Sequence, residues 1–520
     1  MKPDSPTHPQ PLQGYLASLR GRALLAGLLL ALAGTPPPSH AELFAGVARR
    51  DITDREAGPV NDPLYAKALV LKDHDTTAVL VTVDAVAIGE IGRIRNDFLP
   101  NLRARLQQDL GIPASNLVVN ASHCHGTVRA DTESLVFQAI REAAENLTPV
   151  QAGAGSGHED GISENRRLRM KDGSEVDMRR AYALPPDADI ASVGPIDPQI
   201  GLLRLDRTNG QPFAVLYNFA CHPIMNPPNK ANSADFPGFA SLLVEEALGH
   251  GAMAFFVQGC GGDINPVRYK DVLHPPDAEP LGHRLGLKVL TAARQIITRP
   301  KSDLVMVRET LSLPRGADLE KRMTTLQAEQ TRLLTSLEPT DINFKTFLPL
   351  LLQHRLGSEF PGYYAQGYLH DQSVGRESLK RLDDTNRQGL DAYLRNIQIM
   401  ERLTRLNVNL ALLRKHADEA KAAANQPVAA EMLALRVGDF RMVTFPGELT
   451  VEIGLNIKRR ATAPHTFVAG YCNGYLYYLP TASQRGNTGY AQEDCDCLIA
   501  PEWQQQFESK ALNLLGRLER

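Results

Sequence analysis

Between residues 44 and 299, short runs of β-branched and apolar residues alternate with longer stretches whose apolar positions recur at helical spacing. The runs at 78–83, 117–122, 202–205, 213–219 and 253–257 predict strands, and the stretches at 101–110, 133–146, 238–248 and 281–296 predict helices. Strands interleaved with helices imply an α/β fold, here a mixed β-sheet core flanked by helices. From 318 to 425 the character changes. Leu, Glu, Lys, Arg and Gln fall at helical spacing, with a polar break over 358–373, which reads as a helical insertion. Strands return at 434–437, 441–445 and 466–471, with a helix at 449–460. No internal repeat or low-complexity linker interrupts the pattern, so 42–520 is expected to form one large interleaved domain carrying the 318–425 insertion.

The start of the chain reads differently. Arg20 and Arg22 precede the apolar run 23–33, and Pro36, Pro37 and Pro38 lead into Ser39, His40 and Ala41. A basic start, a short apolar core and a small-residue end predict a secretory signal peptide over 1–41. The run is short of the roughly 20 apolar residues that a membrane span takes, and no later segment is long and apolar enough to span. The expected product is therefore exported, periplasmic or secreted. Formal net charge is −3 with Lys and Arg scattered, which removes the electrostatic case for a nucleic-acid partner. Six cysteines stand at 124, 221, 260, 472, 495 and 497 without a CxxC pair. That spacing speaks against a four-cysteine zinc site or a disulfide scaffold, and leaves buried thiols with room for one bridge.

Candidate chemistry gathers where strands run into loops. The strand 117–122 leads into His123, Cys124 and His125, and residues two apart on a strand face the same way. His222 follows another strand, in NFACHP, ahead of an Asn- and Pro-rich loop reaching Asp235. QGCGGDINP combines glycines that permit close backbone approach with the carboxylate of Asp263. Glu448, in FPGE, is expected to open a helix, and GYCNGYLYYLP places Tyr471, Tyr475, Tyr477 and Tyr478 within eight residues. Taken singly, each feature has an ordinary structural use: a surface histidine pair, a glycine turn, a carboxylate at a helix N-terminus, tyrosines lining a core.

Together the segments resemble the neutral ceramidase family, zinc amidases that hydrolyse the N-acyl bond of ceramide, and the likeness runs from about Gly46 to Tyr490. ASHCHG is similar to the family's SHTHSG, which implies His123 as a zinc ligand and His125 as its substrate-side partner. NFACHP implies His222 as the second ligand, PGE implies Glu448 as the third, and the family's NxYxxY pattern places Tyr478 as a further one. Tyr490, twelve residues on, matches another site tyrosine, and ENRR resembles INRS, which implies Arg166 as a site arginine. The resemblance thus implies one zinc per chain, held by two imidazoles and a carboxylate with a position open for water. Water activated by zinc would attack a polarised carbonyl, with His125, Tyr490 and Arg166 stabilising the oxyanion. Asp263 or Asp235 would accept the water's proton.

The chain also departs from that pattern. Where ceramidases read GDVSP, this chain reads GDINP, so Asn265 replaces a serine and no nucleophilic hydroxyl remains there. Asn265 is then expected to act as an oxyanion donor. SHTHSGP has become SHCHGTV, which alters the loop beside the ion, and the family's C-terminal immunoglobulin-like domain is expected to be missing. The resulting expectation is an exported zinc-dependent hydrolase of a linear amide, with an N-acyl amine or ceramide-like lipid as substrate. A zinc esterase or lactonase, and a non-catalytic binding protein of the same fold, are the alternatives.

Overall fold

The computed structural model describes residues 42–519 except 178–184, 186, 270, 272, 301, 363–364 and 488–490. The expected signal peptide over 1–41 and Tyr490 therefore lie outside the described residues. Eight strands build the principal sheet: β1 (Leu43–Asp51), β2 (Tyr65–Lys72), β3 (Thr77–Val83), β4 (Leu117–Ala121), β5 (Thr148–His158), β6 (Gln199–Arg207), β7 (Pro212–Phe219) and β8 (Met253–Gln258). Their order is β8-β7-β6-β5-β1-β2-β3-β4. The inner pairs are antiparallel, while β3/β4 and β7/β8 at the two edges are parallel. Parallel neighbours need a crossover. Helix α1 (Phe98–Leu110) lies in the β3–β4 connection and, after α2 (Thr132–Glu145), α3 (Asp235–Leu248) lies in the β7–β8 connection.

One face of this sheet is covered by helices. Phe98, Leu102 and Leu106 of α1 and Val136, Phe137 and Ile140 of α2 pack against Val79, Val81 and Val119. Phe236 and Ala240 of α3 pack with Leu285 and Val289 of α4 (Ala278–Gln295) on Val215, Tyr217 and Phe256. β5 is rich in glycine because α4 and the chain after it come close. A Cβ built on Gly153 would stand 2.6 Å from both the Ile296 side chain and the Ile297 carbonyl oxygen.

After β9 (Leu304–Leu313) come four helices, α5 (Leu319–Thr335), α6 (Phe344–Leu356), α7 (Ala365–Ser373) and the 45-residue α8 (Ser378–Ala422), before β10 (Val428–Val437) pairs antiparallel with β9. The polar stretch expected as a break over 358–373 contains α7. Then follow β11 (Phe440–Thr444), α9 (Val451–Arg460), β12 (Thr466–Ala469) and α10 (Trp503–Arg517). These strands form a second sheet, β9-β10-β11-β12, whose last pair is parallel. It packs on the other face of the principal sheet, where Leu433, Leu435, Phe440, Met442 and Phe467 meet Leu69, Leu80, Leu203, Leu216 and Phe255. Trp503, Phe507 and Leu514 of α10 close the outer side against Phe445, Ile453 and Ile457.

The two edges of the principal sheet are joined through one side chain. Asn120 Oδ1 on β4 accepts from the Gln258 amide at the end of β8 at 2.9 Å, and its Nδ2 donates to Gly470 O at 2.8 Å. The carboxyl ends of three parallel pairs thereby meet. All six cysteines are buried and unbridged, so the room left for one disulfide is not used.

Candidate functional site

Crevices at the carboxyl ends of parallel strands collect loops with free side chains, and this is where α/β folds bind ligands. Here β4 runs into His123, β7 into His222, β8 into Gly259–Asp263, β11 into Glu448 and β12 into Tyr471. Glu448 does not open a helix as the sequence suggests. It lies in the two-residue strand Glu448–Leu449, paired in parallel with Tyr478–Leu479, and α9 begins only at Val451. Backbone pairing with the tyrosine segment takes its amide, which donates to Tyr477 O at 2.9 Å.

His123, His222 and Glu448 bring one ligand atom each to within 4.8 Å of one another. Glu448 Oε2 stands 2.9 Å from His222 Nε2 and 3.5 Å from His123 Nε2. All three residues are at most 3% exposed. On the far side of each ring, Nδ1 faces backbone carbonyl oxygens: Val86 O for His123, and Gly261 O and Ile264 O for His222. Each Nδ1 must therefore carry the proton, and each neutral ring presents a bare Nε2. Two lone pairs aimed at a carboxylate repel unless positive charge sits among them, and imidazolium is disfavoured by burial. The donor set thus fits a cation, and two nitrogens with one oxygen suit zinc.

Glu448 is held further by the tyrosines. Tyr475 Oη donates to Oε1 and Tyr471 Oη lies 3.3 Å from Oε2. Burial opposes the charge of Glu448, and the Tyr475 hydrogen bond is among the interactions that hold it well below the usual carboxylate range. Burial, then the Glu448 charge, holds both phenols well above their ordinary value, so they remain protonated donors. Tyr478 faces Glu448 across the parallel pair, its ring stacked on His222 at 6.4 Å. His123, Tyr471, Asn473 and Tyr477 all take positive φ, near 56–68° for the first two. Such conformations are uncommon outside glycine and persist where surrounding contacts dictate them. In the sequence, Tyr471 and Tyr475 are read as lining. The structure gives them hydrogen bonds to the carboxylate, which residue type alone does not announce.

Arg166 is fully buried beside this cluster. Its Nε pairs with Glu493 Oε1 at 2.6 Å, Nη1 reaches Asn265 Oδ1 at 3.2 Å and Nη2 donates to Gly262 O. Burial works against its charge, yet Glu493 and Tyr478 raise its affinity for the proton well above normal. Arg167 pairs likewise with Asp494 and, at 2.9 Å, with Glu175. Two adjacent arginines thus meet two adjacent acids some 327 positions away. Guanidinium only donates, so the Asn265 amide must turn Oδ1 toward Arg166 and Nδ2 away from it. No partner for that Nδ2 is found among the described residues.

The other expected residues stand further out. Asp263 gives Oδ1 to the Val451 amide at 2.8 Å and Oδ2 to Asn165 Nδ2 at 3.2 Å, which caps α9 and fixes the turn carrying Glu448. Burial raises its pKa to about 6, against the lowering effects of Arg167 and the Val451 amide. Asp235, at φ 59°, accepts from the Asn226 and Phe236 amides and is raised by burial to about 7. His125 and His123 do not extend β4, which ends at Ala121, so strand alternation does not orient them. Their rings lie edge to face at 5.6 Å, and His125 is exposed on a cleft of about 170 Å³ with Pro59, Asn226 and Asn232.

Residues 44–268 match the family model described as neutral/alkaline non-lysosomal ceramidase, N-terminal. The fold is similar to the crystal structure of neutral ceramidase from Pseudomonas aeruginosa, with a TM-score of 0.56 and 17% identity over 92% of this chain and 75% of that one. A ceramidase complexed with C2 gives a TM-score of 0.56 and 15% identity over the same shares. No curated protein sequence matches the chain. The segment that carries His123 and His222 is thus the part similar to the N-terminal domain of the neutral/alkaline non-lysosomal ceramidases, and the chain has the fold of the neutral ceramidases.

Proposed function

We propose that the chain is an exported zinc-dependent hydrolase that cleaves a linear amide bond, in an N-acyl amine or a ceramide-like lipid. The carrying observation is the buried convergence of His123, His222 and Glu448, with both imidazoles turned by backbone acceptors to present Nε2. These three residues would hold the ion, with Tyr478 beside them as a fourth ligand. When bound, zinc supplies a Lewis acid and brings the pKa of water toward about 7.

The protein's own groups do the rest. Tyr471 and Tyr475 fix the Glu448 carboxylate. Asp263, bonded to the Val451 amide, acts on the position of Glu448 through the start of α9. Arg166 turns the Asn265 amide so that Nδ2 is offered to developing negative charge on the substrate oxygen. His125 and Tyr490 are proposed as further donors there. With asparagine at 265 the site has no hydroxyl nucleophile at that place, so the attacking group is water.

Metal analysis and turnover test the reading together. The parent protein is expected to carry one zinc and to hydrolyse long-chain N-acyl amines, and His222→Ala is expected to lose both. Equal zinc in parent and variant ends the ligand assignment. Faster turnover of matched esters than of amides moves the activity to an esterase.

A further inference from the structure

α6 is apolar on two faces, and only one of them is covered. Phe347 is buried against α8, its ring stacked on Tyr393 at 4.6 Å, and Leu350, Leu351 and His354 follow it on the same side at helical spacing, partly buried. The adjoining face carries Phe344, Leu348, Leu352 and Leu356, four residues apart in turn and 67%, 46%, 52% and 87% exposed. A helix at the surface of a globular protein ordinarily turns polar residues outward, and a continuous open apolar stripe marks a contact. The polar groups within that stripe, by helical spacing, are Lys345 and Arg355. Both are exposed, neither forms an ion pair among the described residues, and no Asp or Glu occurs from 342 to 358.

We propose that this face of α6 seats the protein on an anionic lipid surface, the helix lying in the plane of the interface. With 13 residues α6 is too short to cross, and among the described residues no helix is long and apolar enough to do so. Charge selects lipid over a second copy of the chain. Two α6 faces brought together would set Lys345 and Arg355 against like charge within the helix, with the exposed acids Asp341 and Glu359 lying only beyond its two ends, whereas acidic headgroups neutralise Lys345 and Arg355 while the leucines enter the acyl boundary. The inference rests on the proposed lipid amide as the reason for approaching a membrane, since such a substrate is reached at the bilayer surface.

The test is sedimentation of the whole protein with vesicles of phosphatidylcholine, alone and mixed with phosphatidylglycerol, alongside turnover of a water-soluble short-chain N-acyl amine. Binding is expected on the mixed vesicles, to weaken as salt is raised, and to fall about tenfold or more in Leu348→Asp/Leu352→Asp. Reversal of charge in Lys345→Glu and Arg355→Glu is expected to cost roughly fivefold each. Turnover of the soluble substrate should be unchanged in all these variants, because the residues lie outside the ion site. Binding that is equal in parent and variants, absent on anionic vesicles, or replaced by concentration-dependent dimerisation abolished by the same leucine changes overturns the proposal. Binding without any amide turnover instead removes the function proposed above and leaves the surface standing.

Discussion

Around Glu448 and along α6 the same chain uses opposite means to fix its shape. The carboxylate is reached by two imidazoles and two phenols drawn from three separate loops, all nearly excluded from solvent. α6 buries Phe347 alone and leans on α8 through a few ring and leucine contacts. The first region is over-determined by directional bonds, to the point of holding His123 and Tyr471 at positive φ. The second is set by helical pattern and leaves much of its apolar surface open. Chemistry that needs atoms held to fractions of an ångström belongs in the first, and a surface that must adapt to a partner belongs in the second.

The sharpest way to break the comparison is His222→Ala. Losing one nitrogen from the proposed donor set should cost the protein the proposed zinc and take turnover with it, while circular dichroism stays near that of the parent. Next is Glu493→Gln, which leaves Arg166 buried without its charge partner and should destabilise by about 3–5 kcal/mol in urea unfolding. A result near zero would show that this region is not held by its ion pairs. In the insertion, Leu413→Ala removes a fully buried side chain from the small cluster with Leu319, Met323 and Leu410. A loss of about 2–5 kcal/mol is expected if the α5–α8 seam is packed like a core.

A pH series sharpens the contrast. Asp235 is raised from 3.8 to about 7 by burial, so between those values the folded state binds more protons than the unfolded one. Its contribution to stability therefore declines as pH rises through that window, and Asp235→Asn should flatten the slope of the unfolding midpoint against pH. The smallest effect belongs to Leu352→Ser on the open face of α6, expected within about 0.5 kcal/mol of the parent. A larger loss would mean that the stripe is covered in the protein as it exists.

The mixed α/β fold was legible because its strands and crossover helices bury one face each and so write their period into the sequence. β4, β7 and β8 fall within a residue or so of their expected ranges. β5 has no such signature. Its glycines have low strand propensity; the strand is held by antiparallel pairing with β1 and β6, and glycine stands at 153 and 155 because Ile296 and Ile297 leave no room for anything larger. Of the site, His123, His222 and Glu448 could each be named from a motif, and the fold places them together. The geometry around them could not be read. Nothing near Arg166 and Arg167 points to Glu493 and Asp494, although an acid pair matching a basic pair offers a faint clue. Tyr471 and Tyr475 look like any buried tyrosines until the strand Glu448–Leu449 is laid beside Tyr478. The expected helix at 449–460 started too early for the same reason, since strand pairing overrode a helical pattern at its first residues.

The joining of the two sheet edges at Asn120 has a consequence for the order in which the molecule matures. His123 and His222 leave their strands early in the chain, but the groups that complete their surroundings arrive only with Glu448 and the tyrosines after it. A nascent chain that stops before residue 448 thus holds the two imidazoles of the proposed ion site without its carboxylate. Long separations between contacting residues slow folding, so completion of the proposed ion site should be among the last events on the way to the native state rather than its nucleus.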